Sequence, residues 1–299
     1  MNYGIINLNK PAGPTSRDCV NQVAKRFSNE KVAHAGTLDP LAQGVLVILI
    51  GPAVRLMDEI HELDKEYLAR FRLGCTSPSG DMETALEEVP IPEGLEEAQL
   101  LDAAMRFQGE IEQTPPVFSA VRVDGKRAHH AARRGASVQM PSRRVSIYEL
   151  ELMDCHLPEV LFRIRCSTGT YIRTLGSDIA RALGTDAVMT ELTRVRVGPF
   201  TLESAIPLEA LPTPVPPEMI FSPASTAMQH WTQWVVDDSV MRRILDGQRL
   251  ASQEVIESPA GRIAVLDSKQ VLRAILKQFP DGSWRCAKGI AHWDILPRA

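Results

Sequence analysis

The sequence predicts a mixed α+β domain built around one large sheet, followed by a small β-rich module. Short apolar strands and amphipathic helices are interspersed without the regular strand–helix–strand beat of a parallel α/β fold. Six prolines fall within residues 207–223 and mark a connection. Beyond it only short β-like pieces remain, at 234–236, 261–266, 271–276 and 284–286. The expected boundaries are 1–228 and 229–299, and so small a module is expected to lean on its larger neighbour.

Along the chain, residues 3–8 form an apolar run ended by Lys10-Pro11, as in a short strand. Gly13-Pro14 turns the chain, and Thr15 or Ser16 can cap a helix with the stripe Val20, Val23, Ala24 and Phe27. Residues 45–50 are an unbroken apolar run rich in β-branched side chains, a buried strand stopped by Gly51-Pro52. A helix follows over 54–63. Tyr67, Ala69, Phe71 and Leu73 alternate with Leu68, Arg70 and Arg72, which predicts a strand with one basic, partly wetted face. A helix over 96–107 ends at Gly109. Residues 117–123 lead to the turn signal Asp124-Gly125 and a basic helix over 127–134, which Gly135 can cap. Two strands at 144–152 and 160–167 flank a connection with Pro158. Gly169 and Thr170 open a helix through Ala182, closed by Gly184. Residues 192–197 alternate again, with Arg194 and Arg196 on one side.

Composition narrows the class. With 299 residues, 44% hydrophobic and 23% charged, the chain has the make-up of a globular protein with a sizeable core. No apolar stretch approaches membrane-spanning length, and no basic-then-apolar N-terminal signal is present, so a cytoplasmic protein without membrane attachment is expected. Five scattered cysteines with no C-x-x-C pair argue against a disulfide framework or structural zinc. The net charge of −4 conceals a sharp separation. Residues 81–112 hold ten acidic residues and one basic, whereas 122–144 hold seven basic and one acidic. Such separation can build a basic face for a polyanion, although a solvated helix would read the same way.

The most informative segment runs from His34 to Leu46. It sets Asp39 in a dense turn, between Gly36 and Gly44, at the mouth of the apolar strand. A carboxylate placed there can be desolvated and held rigidly, as a nucleophile or base requires. The same pattern also suits a turn-capping Asp before a proline, and the local residues leave both readings open.

Five ordered motifs carry a resemblance. Lys10-Pro11-Ala12-Gly13-Pro14-Thr15-Ser16, His34-Ala35-Gly36-Thr37-Leu38-Asp39-Pro40, Lys65-Glu66-Tyr67, Pro115-Pro116-Val117-Phe118-Ser119-Ala120 and Cys166-Ser167-Thr168-Gly169-Thr170-Tyr171-Ile172-Arg173 are similar to those of the TruB family of bacterial tRNA pseudouridine-55 synthases. The resemblance implies the pseudouridine synthase fold, with a mostly antiparallel mixed sheet and a PUA-like C-terminal module. It implies isomerisation of a uridine in the TΨC loop of tRNA with no cofactor and no metal. The implied partner is the tRNA T arm, with no obligate protein partner, and the chain is expected to be a monomer. A tRNA-folding chaperone, or a synthase acting on another RNA, is the alternative.

Within that resemblance Asp39 is the catalytic carboxylate, whose roles could be attack at the sugar, attack at the base or proton removal. Arg173 pairs with it and is expected to lower its pKa by roughly one to three units. Tyr67 would stack on or hydrogen-bond the uracil, a contact worth roughly 1–3 kcal/mol. His34 would help extrude the nucleotide, since a stacked base must be flipped to be reached. Lys10 and Tyr171 would shape the pocket wall, and Leu192 would add an apolar contact. Lys126, Arg127, Arg133 and Arg134 form the expected phosphate-tracking surface. Departures from the family pattern include Ala33 for a glycine, which implies an ordinary negative φ, and Phe118 for a tyrosine. The stretch around Asp81 is also altered, and Asp81 is left outside the expected catalytic set.

Overall fold

The computed structural model describes residues 4–27, 30–118, 122–123, 126–127, 140–212 and 222–290, with backbone only at 122–123 and 126–127. The first half contains β1 (Gly4–Lys10), α1 (Ser16–Ala24), β2 (Val32–Ala35), β3 (Gln43–Ile50), α2 (Met57–Glu62) and β4 (Lys65–Leu73). Short strands β5 (Cys75–Thr76) and β6 (Glu87–Glu88) pair with each other before α3 (Glu97–Met105) and β7 (Gly109–Gln113). The pair β8 (Arg122–Val123) and β9 (Lys126–Arg127) precedes the long hairpin β10 (Arg143–His156) and β11 (Glu159–Cys166). Then come α4 (Ile172–Ala182), β12 (Ala187–Val197), β13 (Phe200–Thr201) and β14 (Ile206–Pro207). The C-terminal part holds β15 (Thr232–Val235), α5 (Asp238–Leu245), β16 (Arg262–Leu266), β17 (Leu272–Gln278) and β18 (Trp284–Gly289).

Ten strands form one sheet in the order β14-β1-β3-β12-β4-β11-β10-β7, with β2 added beside β3 and β13 beside β12. Pairings are antiparallel except β1 with β14 and β3 with β12. The expected large, mixed and mostly antiparallel sheet is therefore present. Strands β15 to β18 make a separate four-stranded sheet.

Local chemistry starts the elements where the sequence signals it. Thr15 Oγ1 accepts from the Asp18 amide at 3.1 Å and Asp18 accepts from the Thr15 amide at 2.9 Å, a reciprocal box that opens α1. Among the described residues the one non-glycine with positive φ is Gln270, so Ala33 has the ordinary backbone expected of it.

Strand β3 is buried on both faces, and this orders the layers. Leu46, Ile48 and Ile50 pack with Cys19, Val20, Val23 and Phe27 of the α1 region. Val45, Val47 and Leu49 face the other way and join Ala264, Leu266, Leu272 and Ile275 of the C-terminal sheet. The small module thus completes a core of the large one, as its size demanded. Polar ties reinforce the seam: Lys288 reaches Asp58 at 2.9 Å and Glu59 at 2.8 Å, and Arg262 reaches Glu62 at 2.6 Å. On the β4–β11–β12 side, α3 and α4 cover Phe71 and Phe162.

Two expectations are corrected. Arg127, the expected first residue of a basic helix, lies instead in β9, paired antiparallel to Arg122 of β8; residues 128–134, with Arg133 and Arg134, lie outside the described residues. Part of the proline-rich connection is structured, since β14 pairs with Leu8 and Asn9 and Leu208 and Leu211 are buried. Arg194, on the alternating strand β12, is buried at 1% exposure. Of the basic side chains on the neighbouring strands, Arg163, Arg165 and Arg196 are ion-paired with Glu66, Asp64 and Glu149.

Gly176 lets α4 sit on the sheet. A Cβ there would lie 2.1 Å from the buried Phe71 ring. Gly176→Ala should destabilise the protein by about 1–3 kcal/mol through overpacking, despite the better helix propensity of alanine. Urea or thermal unfolding of the two proteins measures this, and equal stability would contradict the packing.

Candidate active site

The Asp39 turn connects β2 to β3 and is tied down from below by the first motif. Ser16 Oγ donates to the Leu38 carbonyl at 3.0 Å and accepts from the Leu38 amide at 2.9 Å. The Gly13 amide donates to Pro40 O at 2.8 Å. Lys10 is fully buried, and its three ammonium protons go to the carbonyls of Pro11, Pro40 and Ala42 at 3.0, 3.2 and 2.6 Å. Lys10 is therefore not a wall of the pocket, as expected from sequence, but the prop beneath its carboxylate. A lysine has three donors and no acceptor, so three converging carbonyls satisfy it completely.

Arg173, in the first turn of α4, meets Asp39 from the opposite side. Its Nε lies 3.1 Å from Asp39 Oδ2 and its Nη2 3.5 Å from Oδ1. The same guanidinium reaches Asp81 Oδ2 at 3.3 Å, Ser79 O at 2.6 Å and Phe118 O at 3.0 Å. The expected Asp39–Arg173 pair is present, and Asp81 joins it. Asp81 is 1% exposed, held by a bridge to Met189 on β12. The altered residues around Asp81 carried no local signal for this role.

The electrostatic consequence differs from expectation. Arg173 does draw the Asp39 pKa down, but burial pushes it up by more, and the Asp81 and Glu83 carboxylates add to the rise. The net position is above the ordinary carboxylate value. One guanidinium shared by two carboxylates cannot stabilise either as it would a single partner.

A cleft of about 420 Å³ opens over Asp39, lined by Tyr67, Leu192, Tyr171, Arg173, Arg194, Lys65 and Arg143 among others. Tyr67 and Arg194 are directly opposite on β4 and β12, as are Ala69 and Leu192, so sheet register brings the two expected pocket residues Tyr67 and Leu192 together. The Tyr67 phenol is pushed up by burial, and a hydrogen bond to Arg194 opposes that rise. Tyr171 sits at the mouth of α4, with its amide on Gln113 Oε1 at 2.7 Å and its carbonyl accepting from Gln113 Nε2 at 3.0 Å. His34 lies on β2 opposite Ile48, half-buried, just before the turn. Burial and the nearby cations Arg194 and Arg17 depress it to about 4, so it is neutral at pH 7. The side chains of Lys126, Arg127, Arg133 and Arg134 lie outside the described residues.

Sequence reasoning missed Arg194. Its Nε donates to Val45 O at 2.7 Å and its Nη2 to Gly36 O at 3.0 Å, so the guanidinium closes the turn that carries Asp39. Gly44 is required here, because a Cβ would fall 2.3 Å from the Arg194 carbonyl oxygen where β3 meets β12. Lys65 is likewise buried, bonded to the carbonyls of His61 and Leu63 at 2.6 and 2.5 Å, and burial lowers it to about 8.

Two outcomes follow from these groups. The His34 imidazole is harder to protonate in the folded chain than in the unfolded one, so the unfolded state binds the extra proton first. Stability should fall as pH drops from 6.5 towards 4, and His34→Gln should flatten that slope in urea titrations at pH 7, 6 and 5. Arg194→Lys keeps a cation but cannot span Val45, Gly36 and Tyr67 together. It should lower the catalytic rate at least about tenfold, given charge-assisted hydrogen bonds of roughly 1.5–3 kcal/mol each. An unchanged rate with a normal melting temperature would remove Arg194 from the site's support.

Residues 24–172 match the sequence model of the TruB family pseudouridylate synthase N-terminal domain, and residues 173–215 match the tRNA pseudouridylate synthase B C-terminal domain. The chain is 38% identical over 281 residues to tRNA pseudouridine synthase B of Burkholderia mallei (strain NCTC 10247), covering 92% of each. It is 39% identical over 246 residues to that of Clostridium kluyveri, covering 82% of this chain and 84% of the relative. Its fold is similar to a chain in the crystal structure of a Cbf5-Nop10-Gar1 complex, with TM-score 0.78 and 27% identity over 100% of this chain and 88% of the other. A chain in an H/ACA RNP bound to a substrate RNA containing 2'-deoxyuridine gives TM-score 0.73 and 26% identity over 98% and 87%. The chain that pairs Asp39 with Arg173 in a cleft lined by Tyr67 belongs to the TruB family of pseudouridylate synthases.

Proposed function

We propose that this RNA pseudouridine synthase acts in the cytoplasm on the uridine at position 55 in the TΨC loop of tRNAs. The observation that supports the reading best is the single carboxylate of Asp39. It is clamped by Arg173 at the base of a cleft whose walls include Tyr67, Tyr171 and Leu192. Among the described residues lining that cleft, Asp39 is the one carboxylate. A glycoside hydrolase uses a second acid to activate water, whereas an isomerase returns the same base to the sugar and needs none.

The reaction is redox-neutral and balances within the nucleotide. The bond from C1′ to N1 breaks, the uracil turns while bound, a bond from C1′ to C5 forms, the proton on C5 leaves and N1 gains one. Cleavage makes the sugar electron-poor, and the Asp39 carboxylate is the group placed to answer that charge. Its side chain is 35% exposed and so open to the cleft, while Arg173, at 5%, is almost fully buried. Tyr67 and Leu192 offer a partly apolar slot for the flipped base, and neutral His34 beside the turn fits a role in extrusion without carrying charge. Lys126, Arg127, Arg133 and Arg134 are assigned to the RNA backbone on the charge of their segment.

Asp39→Asn should abolish pseudouridine formation at the T loop while tRNA binding stays within a few-fold. Pseudouridine mapping of total RNA with and without the chain reads both reaction and substrate. Retained isomerisation in the variant would sink the role of Asp39. Unaltered T loops beside a changed uridine elsewhere would move the activity to another RNA.

A further inference from the structure

Arg143 is a fixed cation in the cleft that the isomerisation itself does not use. It begins β10 opposite Gln113 on β7 and lines the same cavity as Asp39. Its guanidinium carbon lies 4.6 Å from the centroid of the Tyr171 ring, and its Nη2 donates to the Gly169 carbonyl. Gly169 has φ +85°, and a Cβ there would come within 3.2 Å of the guanidinium carbon, so this backbone is shaped to admit the arginine. The platform is itself locked, because Gln113 holds both the amide and the carbonyl of Tyr171. An arginine with an ordinary surface role would be free to move; this one is seated.

Among the described residues its charge is also uncompensated. Arg173 is matched by Asp39 and Asp81, and the adjacent Arg144 pairs with Glu110 at 3.3 Å. Among the described residues no carboxylate pairs with Arg143, and its Nε is buried without a hydrogen-bond partner. With Nε buried and Nη2 already donating to Gly169, the remaining Nη protons of the stacked guanidinium are what is left for the oxygens of a phosphate.

We propose that Arg143 binds a phosphodiester flanking the flipped uridine and so sets the sugar against Asp39. This rests on the RNA pseudouridine synthase reading and adds a subsite to it. Tyr171, which seats Arg143, is two residues before Arg173, which holds Asp39. One short segment therefore carries both the backbone anchor and the partner of the reacting carboxylate, so the phosphate grip is in register with the chemistry.

The test is a double cycle on the full chain with a T-arm stem–loop carrying one uncharged methylphosphonate, placed 5′ or 3′ of the target uridine. Wild type should lose about tenfold in affinity at one of the two linkages, the usual scale of a charge-assisted contact. Arg143→Gln should lose a similar factor on the unmodified RNA and less than about twofold more on the methylphosphonate. Its salt dependence should also fall by about 0.7 in log–log slope, the value for one single-stranded phosphate, while Arg143→Lys retains the slope. Losses that multiply at both linkages, or Arg143→Gln binding as tightly as wild type, would overturn the proposal. A stem–loop that wild type does not modify would count against the T-arm substrate instead, and the same cycle would then be run on the RNA it does modify.

Discussion

A buried guanidinium must find acceptors for its protons and an opposite charge, or it costs several kcal/mol to keep out of water. Arg173 is such a group, and everything at the active site is arranged around it. Its partners Asp39, Ser79, Asp81 and Phe118 come from three stretches of chain far apart in sequence, and Arg173 itself from a fourth. One charge therefore gathers four segments to one point. Because two carboxylates share it, Asp39 is positioned firmly without being stabilised fully as an anion.

A second design runs through the other buried cations. Lys10, Lys65 and Arg194 are satisfied largely by backbone carbonyls, at the ends of strands and turns. Carbonyls orient a cation without neutralising it, so the cleft keeps a positive character suited to a polyanion. This also resolves the net charge of −4: the acidic excess lies elsewhere on the chain, and the average says nothing about the site.

The supporting architecture follows from β3, which is apolar on both faces because it is covered on both. The α1 region fills one side, and the C-terminal sheet fills the other. The turn bearing Asp39 thus leaves one end of a strand that two layers immobilise, and that rigidity is what a preorganised carboxylate requires.

Much of this was legible in the residues. The run at 45–50, the alternation after Tyr67 and the cap at Thr15 announced their elements, since helix and strand periods and caps are local properties. The motif order also pointed to Asp39, Arg173, Tyr67, Tyr171 and Leu192 before any geometry. Other features had no local signature. The burial of Arg194, the arrival of Asp81 beside Arg173 and the place of Lys10 beneath the turn all depend on which strands become neighbours. Gly44 meets Arg194 across 150 positions of sequence, and Arg173 meets Asp39 across 134. The sequence by itself announced most of the elements and singled out Asp39 among the carboxylates. Only the tertiary structure decided the direction of its pKa shift, the second carboxylate on Arg173 and the supports of the turn, because burial and Coulomb interactions sum over neighbours in space and not along the chain.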